Sequence, residues 1–439
     1  MYLRARATDV DGRYSVKMEV VGTNLNFPTS VAVDDGGNLY IAESGLPFGG
    51  APQGGIVSRI DRGGNRTPLM TGLRSPVNGL TWHDGWLLVS EGGNPGRISR
   101  FHVASRTWRS ILDGLPGFGN YHTNMAVIGP DEKVYFSQGA MTNSGVIGPD
   151  SYDLAWVREV SHSSDIPGYD VTLTGFNAET VDPRGANGAV ARTGAFAPFG
   201  VSTVAGQRIK GRVPCSSAVM RCDVEGKNLE LFAWGLRNAY GLGFLADGRL
   251  LATDQGADNR GSRPVANCPD FLFTVRGGAW YGWPDFFGGR PATDPCFRNG
   301  DAVGPEFLLA NHSELPPPEQ PLLRFEVNSC AVKFALVPEY IPRYAGDLVV
   351  ALFGDERPLT GPAGPRVGRR IVRVTLPDCS VHSVGDLRFN RPIDVAFDRS
   401  APVAYVVDFG EFEIMADKKI ATRAGSGCVW KVSPDFLEA

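Results

Sequence analysis

Short apolar runs recur in pairs along this chain, and each pair is joined by a turn rich in Asp, Gly or Asn. The pairs are Ser30–Val33 with Asn38–Glu43, Gly79–Trp82 with Trp86–Glu91, and Met125–Ile128 with Lys133–Gln138. Further along come Gly235–Phe244 with Ala246–Gly256, Lys333–Leu336 with Asp347–Phe353, and Ile393–Phe397 with Ala404–Asp408. Helix-period apolar runs are scarce, so the pattern predicts six β-hairpins. Third strands are readable at 55–60, 96–101, 370–374 and 427–432, and fourth strands are fainter. Sheets this small leave a bare face and open edges when alone. Radial stacking covers both, which makes an all-β, six-bladed propeller the expected fold. Residues 14–21 are expected to supply the outer strand of the last blade and close the ring. Two intervals are too long for plain blades, about 140–213 in the third and about 257–325 in the fourth. Both are rich in Gly, Pro, Asn and Asp, and they read as excursions over one face of a single propeller domain spanning 1–439.

Composition agrees with many strands and turns, with 55 Gly and 32 Pro among 439 residues. A formal net charge of −4 gives no reason to expect nucleic acid, and no apolar run reaches the length of a membrane span. The first residues lack the apolar core of a secretory leader. A cytoplasmic protein, or a periplasmic or secreted one whose leader has been removed, are the two expectations. Seven scattered cysteines show no zinc-ligand spacing. Cys215 with Cys222, or Cys268 with Cys296, are spaced to allow a bridge, and buried thiols are the plain alternative.

In a propeller, the residues entering each inner strand and leaving each second strand meet at one mouth. The entering residues are Pro28–Thr29, Pro76–Asn78, Tyr121–Asn124, Arg237–Asn238, Asn328–Ser329 and Asn390–Arg391. The leaving residues are Glu43, Glu91, Gln138, Asp254–Gln255–Gly256, Asp355–Glu356 and Asp408. Charges of this kind are costly to bury without a purpose, so the mouth is the expected site, with an ion-pair network that only ties the blades together as the plain alternative. His122 sits directly before an inner strand, where an imidazole suits a general base. The turn Asp254–Asn259 offers carboxylates and free carbonyls of the kind calcium takes, or an Asx turn that satisfies its own backbone.

Four segments resemble the glucose/sorbosone dehydrogenase family of six-bladed propellers, which includes soluble quinoprotein glucose dehydrogenases and aldose sugar dehydrogenases. They are Tyr121–Asn124 with Ile128–Ser137, Trp234–Leu242, Asp254–Asp258 with Gly278–Pro284, and Asn390–Ala396. The resemblance implies pyrroloquinoline quinone (PQQ) held with calcium at the mouth, and oxidation of a sugar, polyol or related alcohol or aldehyde with an external electron acceptor. It makes His122 the base and Arg237 a second catalytic group, with Asn238, Gln255, Arg391, Gln138 and Lys333 toward the cofactor. Gly256, Ala257, Asp254 and Asp258 would serve calcium. Tyr121 departs from the acidic residue expected before the histidine. Neither Lys333 nor Arg357 aligns cleanly with the fifth-blade cation of the family.

Two other readings stand beside this one. The first is a cofactor-free, calcium-assisted hydrolase or lyase using a ring of Glu43, Glu91, Asp254 and Asp408. The second is a non-catalytic binding propeller, since one fold hosts many functions.

Overall fold

The computed structural model describes residues 18–154, 156–185, 188–376, 378–385 and 387–438. Six four-stranded antiparallel sheets form the blades of a propeller. The inner strands, in ring order, are Pro28–Val33, Val77–His83, Thr123–Ile128, Ala239–Phe244, Ala331–Leu336 and Pro392–Phe397. The last blade is completed by Met18–Leu25, which pairs antiparallel with Gly427–Val432 and ties the start of the described chain to its end. The rest of the expected closing segment, 14–17, lies outside the described residues.

Second strands such as Leu39–Glu43, Leu250–Asp254, Leu348–Leu352 and Ala404–Asp408 are buried at every position. Their blades are covered on both faces, which is why they read as unbroken apolar runs rather than alternating ones. Most inner strands start one or two residues earlier than the hydrophobic pattern predicts. A register shift interrupts the pairing near the first residue of every inner strand. A β-bulge breaks the period-two alternation there, and the pattern hides the residues in front of it.

The third blade's excursion runs between Gln138 and Ala218. It carries two short helices, Pro149–Asp153 and Trp156–Glu159, and two small ribbons. The interval 257–325 needs a correction, because it is not one insertion. Phe271–Val275 and Leu323–Arg324 inside it are the third and fourth strands of the fourth blade. The excursions are clamped together by Arg263, whose buried guanidinium donates to the carbonyls of Ser144, Pro284 and Glu306 and to Asp285. Cys215, Cys222, Cys268 and Cys296 are free thiols, so neither expected bridge forms. No helix among the described residues is long and apolar enough to cross a membrane.

Below the mouth the axis is closed by Lys333. Its Nζ donates to the backbone carbonyls of Thr29 (2.8 Å) and Asn78 (2.5 Å) and lies 3.5 Å from Asp394. Asp394 in turn accepts from Ser30 Oγ and Val31 N. One buried ion pair therefore joins four blades, since leaving either charge alone in this interior would be costly.

Candidate active site

The six bulges aim one residue of each blade into a common cavity. Thr29, Asn78, Asn124, Tyr240, Val332 and Ile393 each occupy the shifted position, and all six line an axial cavity of about 250 Å³. Loop residues complete it, among them Asn120, Tyr121, His122, Asn238, Gln255, Cys330 and Glu356. Hairpin ends and bulges thus do bring distant segments together, as the chain pattern implied.

His122 Nδ1 lies 2.8 Å from the carbonyl of Gly117. A carbonyl only accepts, so this contact places the proton on Nδ1 and leaves Nε2 as a lone-pair acceptor. Burial pushes the imidazole below its ordinary 6.5, which keeps it neutral and so free to accept a proton. Close packing fixes the segment. A methyl group on Gly139 would come within 2.4 Å of Tyr121 Cβ and 2.7 Å of Asn238 Oδ1.

A chain of side-chain amides runs around the same side. Asn78 donates to Asn124 (3.3 Å), Asn124 to Asn238 (2.8 Å), Asn238 to Gln255 (2.7 Å), and Gln255 to the sulfur of Cys330 (3.0 Å). Each link fixes its neighbour's orientation, and Asn238 and Gln255 each keep one amide proton free for a ligand.

Glu356 was not singled out by the sequence beyond its place after a second strand. It lines the axial cavity and also a smaller one, about 60 Å³, that holds Arg237 and Asp258. Among the described residues its carboxyl has no hydrogen-bond partner. Burial raises it above its ordinary 4.5, opposed by the nearby Arg391 charge.

The other predicted residues are committed elsewhere. The carboxylates expected to ring the mouth are latches instead. Glu43 takes Asn26 N, Glu91 takes Arg74 N, Asp254 takes the amides of Arg237 and Asn238, and Asp408 takes those of Asn390 and Arg391. Each latch ties the end of a second strand to the segment entering its own blade, and none lines the axial cavity. Gln138 is fully buried, accepting from Thr123 Oγ1 and donating to the Pro116 carbonyl.

Arg237 uses its whole guanidinium on protein groups. It donates to the carbonyls of Asn143, Gln255 and Gly256, to Asn143 Oδ1, to Asp258 (2.8 Å) and to the Tyr121 hydroxyl. Asp258 also takes Arg260 at 3.0 Å. Arg391 is buried behind the cavity wall, donating to the carbonyls of Phe353, Asp355 and Phe412.

These commitments decide how well the implied cofactors fit. The donor set does not fit calcium. Asp254 is turned onto backbone amides, and the Gly256 carbonyl and Asp258 carboxylate already hold guanidinium groups, which supply the positive charge a metal would bring. Ala257, buried beside them, adds no acidic group. Among the described residues no cluster of three or more His, Cys, Asp or Glu is placed to hold a metal ion. The cavity also offers no free cation to a quinone bearing several carboxylates. Among the described residues no Lys or Arg lines it, and Arg237, Lys333 and Arg391 all point their charge at protein acceptors.

Comparison with known proteins places the fold in company. No protein-family model matches the chain, and no curated protein matches it in sequence. Similar solved structures include a glucose dehydrogenase-type oxidoreductase of Thermus thermophilus, 16% identical over 95% of this chain and 99% of the other, with a TM-score of 0.54. The PQQ-bound aldose sugar dehydrogenase of Streptomyces coelicolor is 15% identical over 95% of this chain and 98% of its own, with a TM-score of 0.55. The holo PQQ domain of pyranose dehydrogenase from Coprinopsis cinerea is 14% identical over 98% of this chain and 97% of its own, with a TM-score of 0.56. At these identities the likeness establishes the shared propeller fold.

Proposed function

We propose that the axial cavity is the active site of an enzyme that performs acid–base chemistry on a neutral, hydroxyl- or carbonyl-bearing small molecule of the sugar or sugar-lactone class. The observation that carries this reading is a pair of titratable groups in one cavity whose surroundings move them in opposite directions. Burial lowers His122 and raises Glu356, so both favour their uncharged forms, one as proton acceptor and one as proton donor. The absence of lining cations suits an uncharged substrate.

In hydrolysis of a lactone or ester, His122 Nε2 takes a proton from water as its oxygen bonds the carbonyl carbon. The free amide proton of Asn238 faces the developing negative charge. The carbon–oxygen bond to the leaving group then breaks, and the Glu356 carboxyl supplies the proton that the departing oxygen needs. The proton held by His122 returns to Glu356, directly or through solvent, and the cycle closes.

A second reading keeps His122 as the base and makes the reaction PQQ-dependent oxidation of a sugar or polyol, with an external acceptor. It is favoured by the meeting of His122, Asn238 and Gln255 in one cavity and by the PQQ-containing structures that share the fold. The spent cations weigh against it.

One experiment separates the readings. The protein is titrated with PQQ, with and without calcium, following the quinone absorbance band. It is then assayed for dye-linked oxidation of aldoses and polyols, and for proton release from sugar lactones. Lactone hydrolysis lost in His122→Gln, with no quinone uptake, supports the first reading. Stoichiometric quinone uptake with dye reduction replaces it with the second. Ligand binding without turnover, unchanged in His122→Ala, makes the chain a binding propeller.

A further inference from the structure

We infer that the substrate is amphiphilic, with a polar reacting group at the amides and an aryl ring or short alkyl group lodged against phenylalanines opposite them. This rests on the reading of the axial cavity as an active site.

The cavity has two unlike halves. Phe48, Phe353, Phe409 and Phe412, with Val332 and Ile393, line the part built by the fifth, sixth and first blades. Ring centroids lie 5.5 Å apart for Phe353–Phe409, 5.7 Å for Phe48–Phe412 and 5.8 Å for Phe409–Phe412. Their interplanar angles, 71°, 59° and 78°, make a cup of ring edges rather than one flat stacking surface.

Beside the cup Thr29 Oγ1 already donates to the Val77 carbonyl and Ser44 Oγ accepts from Leu46 N, and the ring side chains themselves offer no hydrogen-bond partner. The carbonyls of Phe353, Asp355 and Phe412 are taken by Arg391 from behind, and its guanidinium lies 5.0 Å from the Phe353 ring centre. A free sugar bears hydroxyls on every edge. Those turned toward the cup would lose water and find nothing in exchange. A hydrocarbon group in the same place loses nothing and buries apolar surface. At about 250 Å³ the cavity is small for a ligand site, which limits that group to one ring or a short chain.

The test is calorimetric titration of the His122→Gln protein, in which turnover should be lost, using methyl β-glucoside, phenyl β-glucoside and benzyl alcohol as probes. The phenyl glucoside should bind at least about tenfold more tightly than the methyl glucoside. That advantage should vanish when Phe412→Asn is added. Ile393→Thr provides the same reading should Phe412→Asn fail to fold. Equal or tighter binding of the methyl glucoside overturns the amphiphile while leaving the cavity a sugar site. Benzyl alcohol binding, lost on Phe412→Asn, without either glucoside supports the cup and overturns the sugar class proposed above. No binding by any probe overturns the inference, and lactone hydrolysis assayed separately shows whether the active-site reading survives.

Discussion

The second to fourth blades and the fifth, sixth and first blades present the same device with opposite chemistry. Each inner strand bulges near its mouth end and turns one side chain into the cavity. On one side those residues are Asn78, Asn124 and Tyr240, joined by His122, Asn238 and Gln255; on the other they are Thr29, Val332 and Ile393, joined by four phenylalanines. The backbone is a repeated bracket, and what it holds is free to differ from blade to blade. Chemistry therefore gathers on one half and shape selection on the other.

That division can be tested by changing one half at a time. His122→Gln, on the polar half, should lower kcat/KM by about a hundred- to ten-thousand-fold while the melting temperature holds. A loss confined to KM would show that the imidazole only positions the substrate. Beneath both halves, Asp394→Asn leaves Lys333 without its counter-charge and should cost about 3–5 kcal/mol of stability in urea unfolding. A cost below about 1 kcal/mol would mean the halves hold together without the axial pair.

Glu356→Gln tests whether the acid sits on the boundary between the halves. The wild-type rate should rise as His122 loses its proton below 6.5 and fall as Glu356 loses its own above 4.5. The variant should lose the alkaline limb and keep the acid one, and an unchanged profile would remove Glu356 from the reaction.

A last test concerns the latch of the polar half. Burial holds Asp254 protonated up to about 7, against 3.8 in the unfolded chain. The folded state binds the extra proton, so this stabilising contribution is full below 3.8 and lost as pH rises toward 7. Melting temperatures of Asp254→Asn measured across that window should show a flatter pH dependence than the wild type. An identical slope would place the proton elsewhere.

The six hairpins were legible because their second strands are covered on both faces and so write an unbroken apolar signature. The third blade's outer strands, Ala218–Cys222 and Glu230–Trp234, were harder to see because a long excursion separates them from their hairpin. His122, Asn238 and Gln255 were found by their places at strand ends. Glu356 was only glimpsed, and Tyr240, Val332 and Ile393 were missed as lining residues. A bulged residue in an apolar run carries no local mark, since its side chain is distinguished only by where the extra backbone unit points it.

The sequence by itself determined the number of blades, the turn positions and the end of the propeller at which polar groups collect, because these follow from hydrophobic period and turn chemistry. Only the tertiary structure decided which of those groups face the cavity. Arg237, Arg391, Lys333 and the strand-end carboxylates carry the residue types of a cofactor site, yet each is drawn to carbonyls, amides or counter-charges supplied from other parts of the chain. A buried charge goes to its best partner in space, and that partner is not written beside it in the chain.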